Sequence, residues 1–170
     1  MALSKVISVE KKGILTVVQL AGLLGISVIL PLFHQQWITG PMINAMLFIA
    51  VVLVGLSNAM ILALLPSTIA LSVGLLPPLL APMIPFIMIS NVVMVIAFDR
   101  LWQKDFWSGV VAGSVLKFLF LWSTSTLVIN LVIKKELAPT ISGMMSWPQL
   151  ATALIGGAIA YGFLKSIKKI

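Results

Sequence analysis

Lys117 is the residue most able to do chemistry in this chain. It stands about ten residues inside an apolar stretch that begins near Phe106. At 1.5 Å per helical residue it lies about 15 Å deep, near the midplane of a bilayer. A central lysine costs roughly 2.5–3.5 kcal/mol on insertion scales, so it is expected to face a bundle interior or a cavity. Snorkelling is the alternative, although from the midplane the side chain reaches an interface poorly. Its role would be to hold a substrate carboxylate or phosphate, or to pair with an internal acceptor. No carboxylate lies at similar depth in another apolar stretch.

The run His34-Gln35-Gln36-Trp37-Ile38-Thr39-Gly40-Pro41 is the densest polar segment outside the termini. An imidazole, two amides, an indole N–H and a hydroxyl offer donors, acceptors and a ring to stack on. That is the chemistry of a neutral or zwitterionic small-molecule site. The alternative is a solvated interfacial loop with a Trp anchor. Asn44, just beyond this run, and Asn91, inside a later apolar stretch, are further candidates for ligand contact. Ser90, Ser123, Thr124, Ser125 and Thr126 are expected to bond their own helix backbone. The candidate substrate-binding set is therefore His34, Gln35, Gln36, Trp37, Thr39, Asn44, Asn91 and Lys117.

Other chemistry is hard to assemble. The chain has no Cys, one His and four carboxylates, Glu10, Asp99, Asp105 and Glu136. Thiolate metal sites and iron–sulfur clusters need sulfur ligands, and other metal sites need several ligands brought together. Triads and carboxylate dyads are equally out of reach. No catalytic residues, metal or cofactor are expected, and the chain reads as a non-enzyme.

The elements that must position these groups are membrane helices. Of 170 residues, 61% are hydrophobic and 9% charged, against about 25% charged in a soluble domain. The expected fold is all-α, a single membrane domain over residues 1–170, multi-pass in the cell membrane. Six spans are expected: Gly13–Phe33, Pro41–Leu56, Asn58–Leu76, a fourth from the Pro77–Pro82 stretch to Phe98, Phe106–Ile133 and Trp147–Leu164. The first is too long for a signal-peptide core. Pro66 should kink the third. Both termini are expected in the cytoplasm. Lys5, Lys11, Lys12, Arg100, Lys104, Lys165, Lys168 and Lys169 then lie inside, and only Lys134 and Lys135 outside, as the positive-inside rule asks. The net charge of +7 fits contact with anionic membrane lipid rather than nucleic acid. Small residues at four-residue spacing, Ala21/Gly25, Gly109/Gly113, Ala153/Gly157, Gly156/Ala160 and Ala158/Gly162, are expected to let helices approach closely.

A small six-helix protein with both ends inside, a polar external cap and small residues in helix one resembles the substrate-binding S component of an energy-coupling-factor (ECF) vitamin transporter. The run from Gln36 to Ala45 and the proline-rich stretch from Leu76 to Pro85 are similar to uncharacterised members of that family. The resemblance implies a micronutrient substrate bound from outside, under the 34–40 loop and between the outer halves of helices four to six. It also implies an ECF transmembrane coupling subunit and two ATPase subunits as partners. S components dock the coupling subunit through Ala-x-x-x-Ala in helix one; here Ala21, Gly22 and Gly25 stand at the matching stretch, with Gly at the second position. The chain has no Walker A pattern, so ATP would be bound elsewhere. Two other readings stay open. One is a small secondary carrier, with a broken-helix feature between Pro66 and Pro85. The other is an accessory subunit of a redox, hydrogenase-related complex.

Overall fold

The structure is a computed structural model. It describes residues 2–33, 35–74, 78–132 and 138–170, without the side chains of 2–12, 79–80, 131–132 and 140. His34 therefore lies outside the described residues, as do Lys134, Lys135 and Glu136.

Every regular element among the described residues is helical. Helix α1 spans Ala2–Ile29 and runs into a 3-10 turn, Leu30–Phe33. It is followed by α2 (Gln36–Val54) and α3 (Leu56–Ser72). A second 3-10 segment, Pro78–Met83, leads into α4 (Ile84–Leu101). Then come α5 (Phe106–Val132), the short α6 (Ala138–Met144) and α7 (Trp147–Ser166). Four stretches are long and apolar enough to cross a membrane: Gly13–Phe33, Gln36–Val54, Ala81–Leu101 and Phe106–Asn130. They mark the chain as a membrane protein.

Two boundaries differ from expectation. Helix α2 begins at Gln36, not near Pro41, so Gln36, Trp37 and Thr39 form its first turn rather than a loop. Proline at 41 removes an interior helix donor, yet the helix runs through it. The connection before α7 also holds its own short helix, α6, opened by Ala138 and Pro139.

Close packing follows the small residues. A Cβ at Gly156 on α7 would lie 2.7 Å from the Pro41 carbonyl oxygen and 2.8 Å from the Ala45 nitrogen on α2. A Cβ at Gly113 on α5 would lie 2.9 Å from the Met94 carbonyl oxygen on α4. Gly157 meets Val110, so α7 also lies against α5. These contacts bring backbones together where larger side chains would hold them apart. Between them sits the main core, with Leu47, Phe48, Leu62, Met94, Val95, Phe98 and Leu164 buried. A second cluster joins Met83, Leu121, Val128, Ile141 and Met145.

Gly55 alone links α2 to α3. Its φ of 84° and ψ of 165° lie in a region essentially reserved for glycine. Helix α1 is the loosest member of the bundle. Only 17% of its apolar window is buried, against 61% for α2. Gly22 and Gly25 are open, with nothing near enough to meet an added Cβ, and Ala21 is exposed beside them.

Candidate functional site

A cavity of about 100 Å³, with mostly apolar walls and a few polar groups, opens between the start of α2, the second half of α3, the first half of α4, Lys117 of α5 and the α6–α7 junction. Lys117 enters from α5, and its Nζ donates to Asn44 Oδ1 on α2 at 2.6 Å. Both residues are buried. The internal acceptor is thus an amide oxygen, which satisfies one N–H of the amine without bringing a second charge into the bundle. An ammonium carries three donors and no acceptor, and no other protein acceptor is found for Nζ among the described residues. The remaining capacity belongs to the cavity.

Asn91, from α4, donates through Nδ2 to the Ala63 carbonyl of α3 at 3.3 Å. Pro66, which lacks the N–H that would bond the Leu62 carbonyl, stands three residues further along the same helix. Asn91 Oδ1 and Ser67 Oγ are buried without a partner, and both residues line the cavity. Buried polar atoms are normally hydrogen-bonded; Trp102 Nε1 and Ser114 Oγ, away from the cavity, are unpartnered as well.

The wall on the α2 side is built by its first two turns. Gln36, Thr39, Gly40, Ile43 and Asn44 line the cavity, recurring at the i, i+3, i+4, i+7 and i+8 positions of one helix face. Thr39 Oγ1 also donates to the Leu30 carbonyl at 3.1 Å, tying the start of α2 to the end of α1. Gln149 closes the α7 side, its Nε2 donating to the Met144 carbonyl at 3.1 Å.

Of the residues singled out from sequence, Gln36, Thr39, Asn44, Asn91 and Lys117 come together here. Gln35 and Trp37 do not. Gln35 is exposed, and its carbonyl accepts the N–H groups of Ile38 and Thr39 at 3.1 and 2.8 Å, which starts α2. Trp37 is exposed and points to Trp147, with ring centroids 5.5 Å apart and planes tilted by 44°. The pair stands beside the cavity, since Gln36 and Gln149 line it. Sequence reasoning missed Ser67 and Gln149. Ser67 carried a signal, a hydroxyl directly after a mid-helix proline; Gln149 carried one in its place at the opening of α7.

The other intramembrane hydroxyls behave as expected. Ser90, Ser123, Thr124, Ser125 and Thr126 all donate to carbonyls three or four residues back. Ser123, Thr126 and Asn130 share an exposed face of α5, away from the cavity. Among the described residues, no three His, Asp or Glu side chains gather as a metal site would need.

No family model, no curated protein and no solved structure matches the chain. The fold and site define its class, a helical membrane protein with a small cavity that sets a few polar groups in apolar walls.

Proposed function

We propose that the chain is the substrate-binding subunit of an uptake system in the cell membrane, driven by a separate transmembrane coupling subunit and two ATPase subunits. One observation carries this reading: a mostly apolar cavity holds the paired Lys117 and Asn44, and Asn91 and Ser67, whose Oδ1 and Oγ are left without partners, stand in its wall. Burying such groups costs stability unless they are bonded, and a ligand would supply the missing bonds. The volume admits a small molecule, or one end of a larger, vitamin-like one.

Two further features support the reading. Helix α1 is open along the side that holds Ala21, Gly22 and Gly25, which gives a coupling subunit a face to approach closely. Six spans follow if α3 and α7 cross beside the four stretches named above. With 17 and 20 residues, both fall within the roughly 17–25 that a crossing takes. Six spans keep both lysine-bearing termini and the Arg100–Lys104 turn on the cytoplasmic side, and leave the cavity on the outer one.

Native mass spectrometry of the protein, purified in mild detergent from its own host, tests the proposal. A small molecule bound at one per chain and released on unfolding is the expected result. A protein that arrives empty but with stoichiometric redox subunits would replace this reading with the accessory-subunit one.

A further inference from the structure

We infer that the cavity takes a small organic monoanion, a short-chain monocarboxylate that also bears a hydroxyl. The inference rests on reading the cavity as a substrate site and names the class of substrate.

Charge sets the first part. Lys117 is the one ionisable side chain among the described residues that line the cavity; no carboxylate joins it. When it is protonated, Lys117 is a single buried cation, best balanced by a ligand of net charge −1, because an uncompensated buried charge is expensive. Among the described residues, a dianion would find no second cation at the cavity, and the ammonium of a zwitterion would meet only neutral groups beside Lys117. A carboxylate on the free N–H groups of Lys117 forms charge-assisted bonds, the stronger kind.

The second part comes from the orphaned oxygens. Asn91 Nδ2 is engaged with Ala63, so the free atom of that amide is Oδ1, an acceptor. It needs a donor, and the ligand must bring one. A neutral hydroxyl does this without disturbing the charge balance, and Ser67 Oγ, equally unpartnered, is able to accept or donate.

Size sets the third. An engineered apolar cavity of about 150 Å³ takes a benzene. A cavity of about 100 Å³ accordingly encloses about four non-hydrogen atoms, and its opening leaves room for the rest of a short ligand. Methionines 144 and 145, with Ile43, Ala70 and Ile87, give the carbon part of such a ligand an apolar wall.

The test is isothermal titration of the full chain in lipid nanodiscs with L-lactate, propionate and lactamide. Lactate carries charge and hydroxyl, propionate lacks the hydroxyl, and lactamide lacks the charge. Lactate is expected to bind at least about tenfold more tightly than either, as the loss of a bond to a buried polar group implies. Lactamide binding as well as lactate would overturn the anionic class. Propionate binding as well as lactate would overturn the role of the hydroxyl. The variant Asn91→Leu is expected to erase the difference between lactate and propionate; a difference that persists places the hydroxyl elsewhere and overturns the assignment to Asn91. If none of the three binds while native mass spectrometry still shows one small molecule per chain, the monoanion class falls and the binding-subunit reading stands. If none binds and the protein is also empty, both fall.

Discussion

Lys117 and Asn44 lie 73 residues apart in the chain and 2.6 Å apart in space. Removing either one leaves the other with a polar group and no protein partner. The penalty is unequal, because an orphaned amine costs more than an orphaned amide oxygen. Asn44→Leu is therefore expected to destabilise the protein by about 1–3 kcal/mol, and Lys117→Met by less. The double variant should cost less than the sum of the two. Unfolding of the three variants in detergent micelles checks this; strict additivity would mean that the pair is not coupled. Asp105 makes a separate prediction. It precedes α5 and accepts the Ser108 N–H at 2.6 Å, a helix N-cap bond. Its hydrogen bonds to Ser108 hold the carboxyl below its ordinary value of 3.8. Its stabilising contribution is thus present above that value and lost as pH falls through the lowered one. The wild type is expected to unfold at a higher temperature than Asp105→Asn at pH 6, and to lose that advantage once the pH falls below the lowered value. A gap that stays constant with pH would count against the cap. At this scale the sequence was partly legible. Depth alone pointed to Lys117, since few features justify a lysine at the midplane. Its pairing with Asn44 was not legible, because periodicity says which face a residue occupies and not which helix lies opposite.

Helices in this bundle are placed by what their glycines permit. Gly156→Ala would push a methyl group against the Pro41 carbonyl and the Ala45 nitrogen, backbone atoms that cannot rotate aside. It should cost about 1–3 kcal/mol, the usual penalty of overpacking. Gly22→Ala and Gly25→Ala meet nothing within 4 Å. Alanine is the better helix former by roughly 0.5–1 kcal/mol, so these two should be neutral or slightly stabilising in the isolated protein. Thermal unfolding of the three alanine variants distinguishes the closed contact from the open face. Four-residue spacing announced Gly25 and Gly156, though not Gly22, and did not separate packed from exposed ones. The spacing at 156/160 and 109/113 is used inside the bundle, whereas that at 21/25 and 158/162 faces outward. Pro41 misled on the start of α2 for a similar reason. Proline at the first helical position is a common signal, but the paired glutamines before it already begin the turn.

For the molecule as a whole, apolar composition was enough to read an all-helical membrane protein, and most helix limits lie within a few residues of those expected. The short α6 was hidden because seven residues give too little periodicity to recognise. The direction of insertion is tested by a property of the composition itself. The chain has no cysteine, so single cysteines are reporters without background. Placed at Gln103, just past α4, and at Ser166, the last residue of α7, both exposed, they should resist a membrane-impermeant maleimide added to whole cells. Placed at Gln35 and Gly143, also exposed, they should react. Labelling of Gln103 and Gln35 from the same side would rule out the six-span arrangement. The tilted indoles of Trp37 and Trp147 have a consequence of another kind. Two chromophores this close share excitation, and their joint near-ultraviolet dichroism depends on distance and angle. They cap the two helices whose first turns flank the cavity, so a guest that parts those helices would rewrite the spectrum. The protein carries its own optical gauge, readable without a label, and Trp37→Phe would switch it off.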